Sequence, residues 1–271
     1  SGRDSPSGSS RSSTCRRCPD PVRRVACVFA HPDDDTYGVA GSLALHASDE
    51  LQLTVIMATS GGAGRIADPS LATRQTLGRV REAEDVASWK ALGFDPDVRF
   101  LRHPDGGLAR IPREQLVLEV RDLLEETAPE VVVTFGPDGI TGHEDHVAIG
   151  AVATEAFQAT RTSSSGQAFS RLLHNVVPQS SLDRLNELFR ERGLEPMDPT
   201  QPFMPRGVPD RTIGVRVDCS SVYERKLEAI RCHKTQAELE DVPYDLWPEM
   251  LSTESFTVAW PERRPRDPVL A

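Results

Sequence analysis

Two short runs hold the side chains whose types and spacing suggest chemistry. In VACVFAHPDDDTYG, residues 25–38, His31 and Pro32 precede three aspartates, Asp33, Asp34 and Asp35, directly after an apolar stretch. In GPDGITGHEDHVAIG, residues 136–150, His143 and His146 stand three positions apart with Glu144 and Asp145 between them. Imidazoles and carboxylates are the ligands of catalytic zinc, which takes three from the protein and keeps one position for water. Plainer readings exist for each run. An aspartate between a strand and a helix is commonly an N-cap, and acidic residues are favoured at a helix start by its dipole. Three in a row exceed what a cap needs, and the surplus charges repel one another.

Both runs follow segments that read as strands. RRVACVFA (23–30), LQLTVIMAT (51–59), DVRFLR (97–102) and EVVVTFG (130–136) are short, β-branched and almost continuously apolar, as strands covered on both faces should be. Helical patterns lie between them at 38–48, 74–92 and 112–127, and a further helix is expected at 144–160. Strand alternating with helix predicts an α/β fold, Rossmann-like and doubly wound, with a mostly parallel sheet and right-handed crossovers. The site of such a sheet lies at the C-terminal ends of its strands, where both chemical runs fall. From about residue 165 the pattern weakens into strands at 171–178 and 211–218, helices at 181–193 and 220–239, and a proline-rich loop at 196–209. This part is expected to add substrate-pocket elements to one domain spanning 22–271, the loop lining or covering the pocket.

Composition narrows the partners. Asp+Glu 41 against Lys+Arg 31 leaves a net charge of −10, so nucleic acid and anionic membrane are excluded as main partners by repulsion. A small molecule is the expected ligand. No stretch approaches the roughly 20 apolar residues of a membrane span, and the N-terminus lacks a secretory layout, so a cytoplasmic location is the expectation. Residues 1–21 have almost no apolar side chain to offset ordering entropy and read as a disordered or loosely packed tail. Five scattered cysteines argue against a disulfide framework, and Cys15 and Cys18 in that tail lack the second pair a zinc site needs. Lysine occurs only at 90, 226 and 234; so arginine-rich a chain suits a GC-rich genome.

AHPDDD after the first strand, REAEDVASWKALG on the long helix, FLRHPDGGL after the third strand, HEDH after the fourth and CHKTQ late in the chain resemble the LmbE-like (PIG-L) zinc-dependent N-deacetylases. The resemblance runs from about residue 23 to 236 and implies roles position by position. His31, Asp34 and His146 would bind one zinc ion, and iron could occupy the same ligands in the cell. Asp33 would be the general base, and His143, best as imidazolium, would face the oxyanion. Asp145 either raises the pKa of His143 and orients it, or caps the helix. Arg81 resembles an arginine that contacts substrate hydroxyls, against the plainer reading of a helical ion pair with Glu84 or Asp85. Asp105 resembles a substrate-binding aspartate, against that of a turn residue before Gly106. His103 reads as a loop histidine, His233 as packing or a substrate wall, and His46 and His174 carry no signal.

The implied reaction is hydrolysis of an N-acyl, most simply N-acetyl, amide on a glucosamine-like sugar within a larger metabolite. That metabolite would be a pseudo-disaccharide of thiol biosynthesis, a glycosylated antibiotic, or a thiol conjugate cleaved as by an amidase. Gly62 and Ala63 stand where relatives often carry an acidic residue, and Thr141 where some sugar deacetylases carry tyrosine; both departures touch specificity. Two readings of other classes compete. A nucleotide-binding oxidoreductase would use SGGAG as its phosphate loop, but that run follows the second strand, and the first ends in carboxylates that repel a pyrophosphate. A binding module derived from the enzyme fold would have no need of a base at Asp33.

Overall fold

The run RVACVF forms β1 (Arg24–Phe29), and every residue after its first is buried. A strand covered on both faces must lie inside a sheet flanked by helices. A computed structural model describes residues 23–47, 50–163, 166–236 and 242–261 and sets β1 in the interior of a seven-stranded sheet. The expectations for the tail and for Cys15 and Cys18 lie outside the described residues.

Along the chain β1 is followed by α1 (Asp34–Gly38), α2 (Ala40–Leu45), β2 (Gln52–Thr59), α3 (Leu77–Ala91), β3 (Asp97–His103), α4 (Arg113–Thr127) and β4 (Val131–Phe135). Then come α5 (Gly139–Gly142), α6 (Glu144–Arg161), β5 (Arg171–Asn175), β6 (Val177–Pro178), α7 (Gln179–Glu191) and β7 (Gly207–Val208). The described chain closes with β8 (Val215–Asp218), α8 (Tyr223–Ile230), α9 (Trp247–Leu251) and β9 (Thr253–Trp260). Strand order in the large sheet is β3-β2-β1-β4-β5-β9-β8, while β6 and β7 make a separate two-stranded ladder. The first five strands pair in parallel, and β9 runs antiparallel to both β5 and β8. Chain order runs outward from β1 to β3 on one side and resumes at β4 on the other. The direction of winding therefore reverses between β1 and β4, which opens a crevice at their C-terminal ends.

Packing brings those two strands close. Phe29 and Phe135 meet edge to face with centroids 4.9 Å apart. Helix α6 lies directly on β4 because residue 150 is glycine: a Cβ there would stand 2.8 Å from the Phe135 carbonyl oxygen. Among the described residues no helix is long and apolar enough to cross a membrane.

The strand expected at 171–178 divides into β5 and β6, which lie in different sheets, and β7 falls in the expected loop; four further elements also depart from sequence expectation. The helix expected at 38–48 starts earlier, at Asp34, and breaks at Val39 into α1 and α2. The helix expected at 220–239 is a 3-10 turn followed by α8, which ends at Ile230. Beyond it Thr235 donates through its backbone N and its hydroxyl to Glu84, at 3.0 and 2.6 Å, and this tie to α3 holds the chain in a turn. The strand expected at 211–218 is confined to β8. No strand was expected at β9, which pairs antiparallel with β5 and β8 and is tied to α8 by a buried ion pair: Lys226 Nζ donates to Glu254 Oε1 at 2.6 Å. The Glu254 carboxylate also accepts the backbone N–H groups of Gly41 and Ser42, both at 2.8 Å.

Candidate metal centre and active site

The chain leaves β1 in a tight turn built on Asp34, whose Oδ2 accepts the backbone N–H of His31 at 2.7 Å and of Ala30 at 3.2 Å. To make that turn Asp33 takes φ 113°, a conformation L-residues rarely adopt. Such a residue costs on the order of 1–3 kcal/mol and persists only where its surroundings hold it. Across the crevice, α5 is kinked at Ile140, and His143 caps α6 by accepting the Asp145 backbone N–H on Nδ1 at 3.1 Å. One turn of helix then aims His146 back toward β1.

Donor atoms of three side chains converge. His31 Nδ1 lies 3.2 Å from His146 Nε2 and 3.5 Å from Asp34 Oδ2, and His146 Nε2 lies 3.3 Å from Asp34 Oδ1. A tetrahedral ion with bonds of about 2.0–2.1 Å sets its ligand atoms about 3.3 Å apart, and these separations, taken to Oδ2 from His31 and to Oδ1 from His146, are of that size. Each imidazole is also braced from behind. His146 Nδ1 donates to the Gly139 carbonyl at 3.0 Å, which leaves Nε2 with a lone pair. The other nitrogen of His31, Nε2, stands 3.0 Å from Asp105 Oδ1 and 3.4 Å from Asp145 Oδ2. A proton on Nε2, facing these carboxylates, would leave Nδ1 free to act as a ligand atom. A second grouping, His31 with His143 and Asp145, also brings donor atoms together. Asp145 is already committed, however, accepting Gly106 N–H at 2.7 Å and Leu108 N–H at 2.9 Å. The first set is the better holder of an ion.

Charges in the crevice reinforce one another. Burial would push the His31 pKa down, but Asp105, Asp145 and Asp34 overcome it and raise it well above the histidine range. Burial likewise opposes ionisation of Asp34, yet His146 and His31 hold it well below the carboxylate range. His143 is lowered, first by burial and then by its two imidazole neighbours. With Nδ1 accepting a backbone N–H, a neutral His143 carries its proton on Nε2.

The other expected site residues lie in the same crevice with different partners. Asp33 is buried, and its Oδ2 accepts from Arg81 Nη2 at 2.8 Å. Arg81 is only 4% exposed and also donates to the carbonyls of Pro32 and Gly61, at 2.6 and 3.0 Å. It thus faces neither open solvent nor the helical partners Glu84 and Asp85. The Asp145 carboxylate faces His31 and the 106–108 loop, and only its backbone N touches His143. Asp105 bridges His31 and the backbone N–H of Ala63, which it accepts at 2.7 Å. His103 sits apart, 2.5 Å from Glu119. His233 is buried, with Nε2 3.0 Å from the Thr36 hydroxyl, and burial takes its pKa down to about 3.

Three residues around the site escaped the sequence reading. Asp35, counted there only as surplus charge, lies behind the site and accepts the Trp89 indole N–H at 2.6 Å. Asp85 is buried beside it, its pKa pushed well up by burial and by Asp35. Their spacing on α3, Asp85 one turn before Trp89, was the available signal. Phe203, exposed on the 196–209 loop, packs against His143 with centroids 5.3 Å apart, and nothing in its local sequence marks it.

A Rossmann-like sheet with imidazoles, carboxylates and a buried arginine gathered at its switch point defines an α/β enzyme with a candidate metal centre. Comparison with known proteins makes the class specific. A family model described as PIG-L, GlcNAc-PI de-N-acetylase, matches residues 26–157. A 1D-myo-inositol 2-acetamido-2-deoxy-alpha-D-glucopyranoside deacetylase of Kribbella flavida is 32% identical, over 80% of this chain and 84% of its own. Among solved structures, the N,N'-diacetylchitobiose deacetylase of Pyrococcus horikoshii superposes with TM-score 0.57 at 21% identity, covering 88% of this chain and 84% of that one. GalB, a 4-carboxy-2-hydroxymuconate hydratase of Pseudomonas putida, superposes with TM-score 0.59 at 16% identity, covering 91% of this chain and 100% of that one, so the fold alone does not fix the reaction. The chain belongs to the PIG-L family and is by class an N-deacetylase.

Proposed function

We propose that this protein is a zinc-dependent hydrolase that removes an N-acetyl group from a glucosamine-like sugar carried in a larger metabolite. The observation that carries the reading is the convergence of His31, Asp34 and His146, with His143 beside His31 and Asp33 preceding Asp34 in the chain. The names of the relatives support the sugar: two of them are deacetylases of an acetamido-glucopyranosyl inositol.

His31, Asp34 and His146 would hold the ion, which when bound supplies an activated water near neutral pH. Asp33 is next to a ligand without belonging to the triangle, and so it takes the proton as water attacks the amide carbonyl. His143 donates from Nε2 to the oxygen on which negative charge develops. Asp33, now a carboxylic acid, returns its proton to the amide nitrogen as the C–N bond breaks. The products are acetate and a free amine.

Replacing Asp33 with Ala is expected to abolish amine release from N-acetylated sugars while the metal content stays unchanged. His143→Ala is expected to cut turnover by about 10²- to 10³-fold, the usual loss for an oxyanion donor. Amine release, with metal analysis of the same samples, decides both. Near-normal rates in either variant reject its role, and loss of metal from the Asp33 variant would mean that base and ligand are exchanged.

A further inference from the structure

We infer that Arg81 is a positioning residue for Asp33, and that Gly61 and Gly64 form the cradle that allows it. The inference deepens the hydrolase reading and rests on it. An arginine that binds substrate must keep N–H groups free at the pocket surface. Arg81 instead runs from α3 into the floor of the turn after β1. Its Nη2 is shared between the Pro32 carbonyl and the Asp33 carboxylate, at 2.6 and 2.8 Å, so one nitrogen grips both sides of the strained residue. Its Nη1 donates to the Gly61 carbonyl at 3.0 Å. This three-point hold fixes where the carboxylate points, which a strained turn on its own does not.

The glycines show how closely the guanidinium is enclosed. A Cβ on Gly61 would lie 2.3 Å from Arg81 Nη1, and that residue also takes φ +65°. At Gly64 a Cβ would lie 2.6 Å from the same nitrogen and 3.0 Å from Gln236 Oε1. Neither glycine touches the metal triangle, yet a methyl at either position displaces the arginine. The loop is itself anchored, since Asp105 accepts the Ala63 N–H and Arg74 donates to the Gly62 and Gly64 carbonyls at 2.6 and 2.9 Å.

The test compares Arg81→Ala, Arg81→Lys, Gly64→Ala and the Arg81→Ala/Gly64→Ala double variant, all metal-loaded, by amine release from N-acetylglucosamine. Positioning predicts that Arg81→Ala lowers kcat by about 10²-fold with KM within about twofold, because only the transition state needs the aligned base. Lysine, with one nitrogen for three acceptors, restores little. Guanidinium ion added at millimolar concentration recovers part of kcat in Arg81→Ala. Gly64→Ala lowers kcat in the same sense, and the double variant is no worse than Arg81→Ala, since both act through one contact. A rise in KM at constant kcat, a wild-type Gly64→Ala, or additive losses would overturn the inference. Crystal structures of Arg81→Lys and Gly64→Ala give a readout independent of turnover, with the Asp33 carboxylate expected to leave its place. If it stays, the inference fails whatever the rates; if it moves and the wild-type enzyme releases no amine, only the hydrolase reading falls.

Discussion

Asp145 shows how far the direction of a side chain can depart from its nearest neighbour in the sequence. Its place two residues after His143 directs attention to that histidine, but a helix turns residue 145 away from residue 143 and toward β1. There the carboxylate accepts two backbone N–H groups of the 106–108 loop and faces His31 Nε2. Carboxylates behind a ligating imidazole typically contribute 10- to 100-fold in metal affinity. Asp145→Asn is therefore expected to weaken metal binding by about that factor, measured by competition with a chelator, while the cap between His143 and the residue 145 backbone N–H survives. Unchanged affinity would remove Asp145 from the support of His31. The residue types of the site were legible in HPDDD and HEDH because few other roles suit so many carboxylates beside imidazoles. Their pairings were not, because side-chain direction depends on the turn at Asp33 and the kink at Ile140, both at positive φ in residues that give no local warning.

At the scale of elements, the placement of His146 depends on how α6 meets β4. Gly150 lies four residues beyond His146 on the same helix face and touches the Phe135 backbone. Gly150→Ala sets a methyl 2.8 Å from that carbonyl oxygen, and neither partner can rotate away. The helix must shift by a few tenths of an ångström, at a cost of about 1–3 kcal/mol. A lower melting temperature together with weaker metal binding is expected; a lower melting temperature alone would show that His146 is held independently of the contact. Buried parallel strands announce themselves by continuous apolarity, which is why β1, β2 and β4 were legible. β9 was not: its later residues are only half-buried, its antiparallel partners lie far off in sequence, and its anchor is Glu254, a charge that reads as surface until Lys226 meets it. The end of α8 was hidden for a similar reason, since the tie from Thr235 to Glu84 spans 151 positions.

For the whole molecule, two imidazoles buried outside the metal triangle set the response to acid. His174 on β5 is held neutral by burial, which takes its pKa down to about 4, and His233 down to about 3. In the unfolded chain both bind a proton near pH 6.5. Between that pH and the folded values the unfolded state carries more protons, so stability is fully present above about pH 6.5 and is lost as pH falls. His174 accounts for about 2 kcal/mol of the loss between pH 7 and pH 5 by this linkage. His31, with its raised pKa, acts in the opposite sense, and Asp34 becomes important only at lower pH. Neither contribution differs between wild type and a variant at residue 174. Urea unfolding of the metal-free protein at pH 7 and pH 5 should accordingly show His174→Gln losing about 2 kcal/mol less than wild type over that interval, even if the variant starts from a lower stability. Parallel losses in the two proteins would mean that the imidazole between Thr154 and the sheet already gains its proton in the folded state, and that the acid response arises in the crevice.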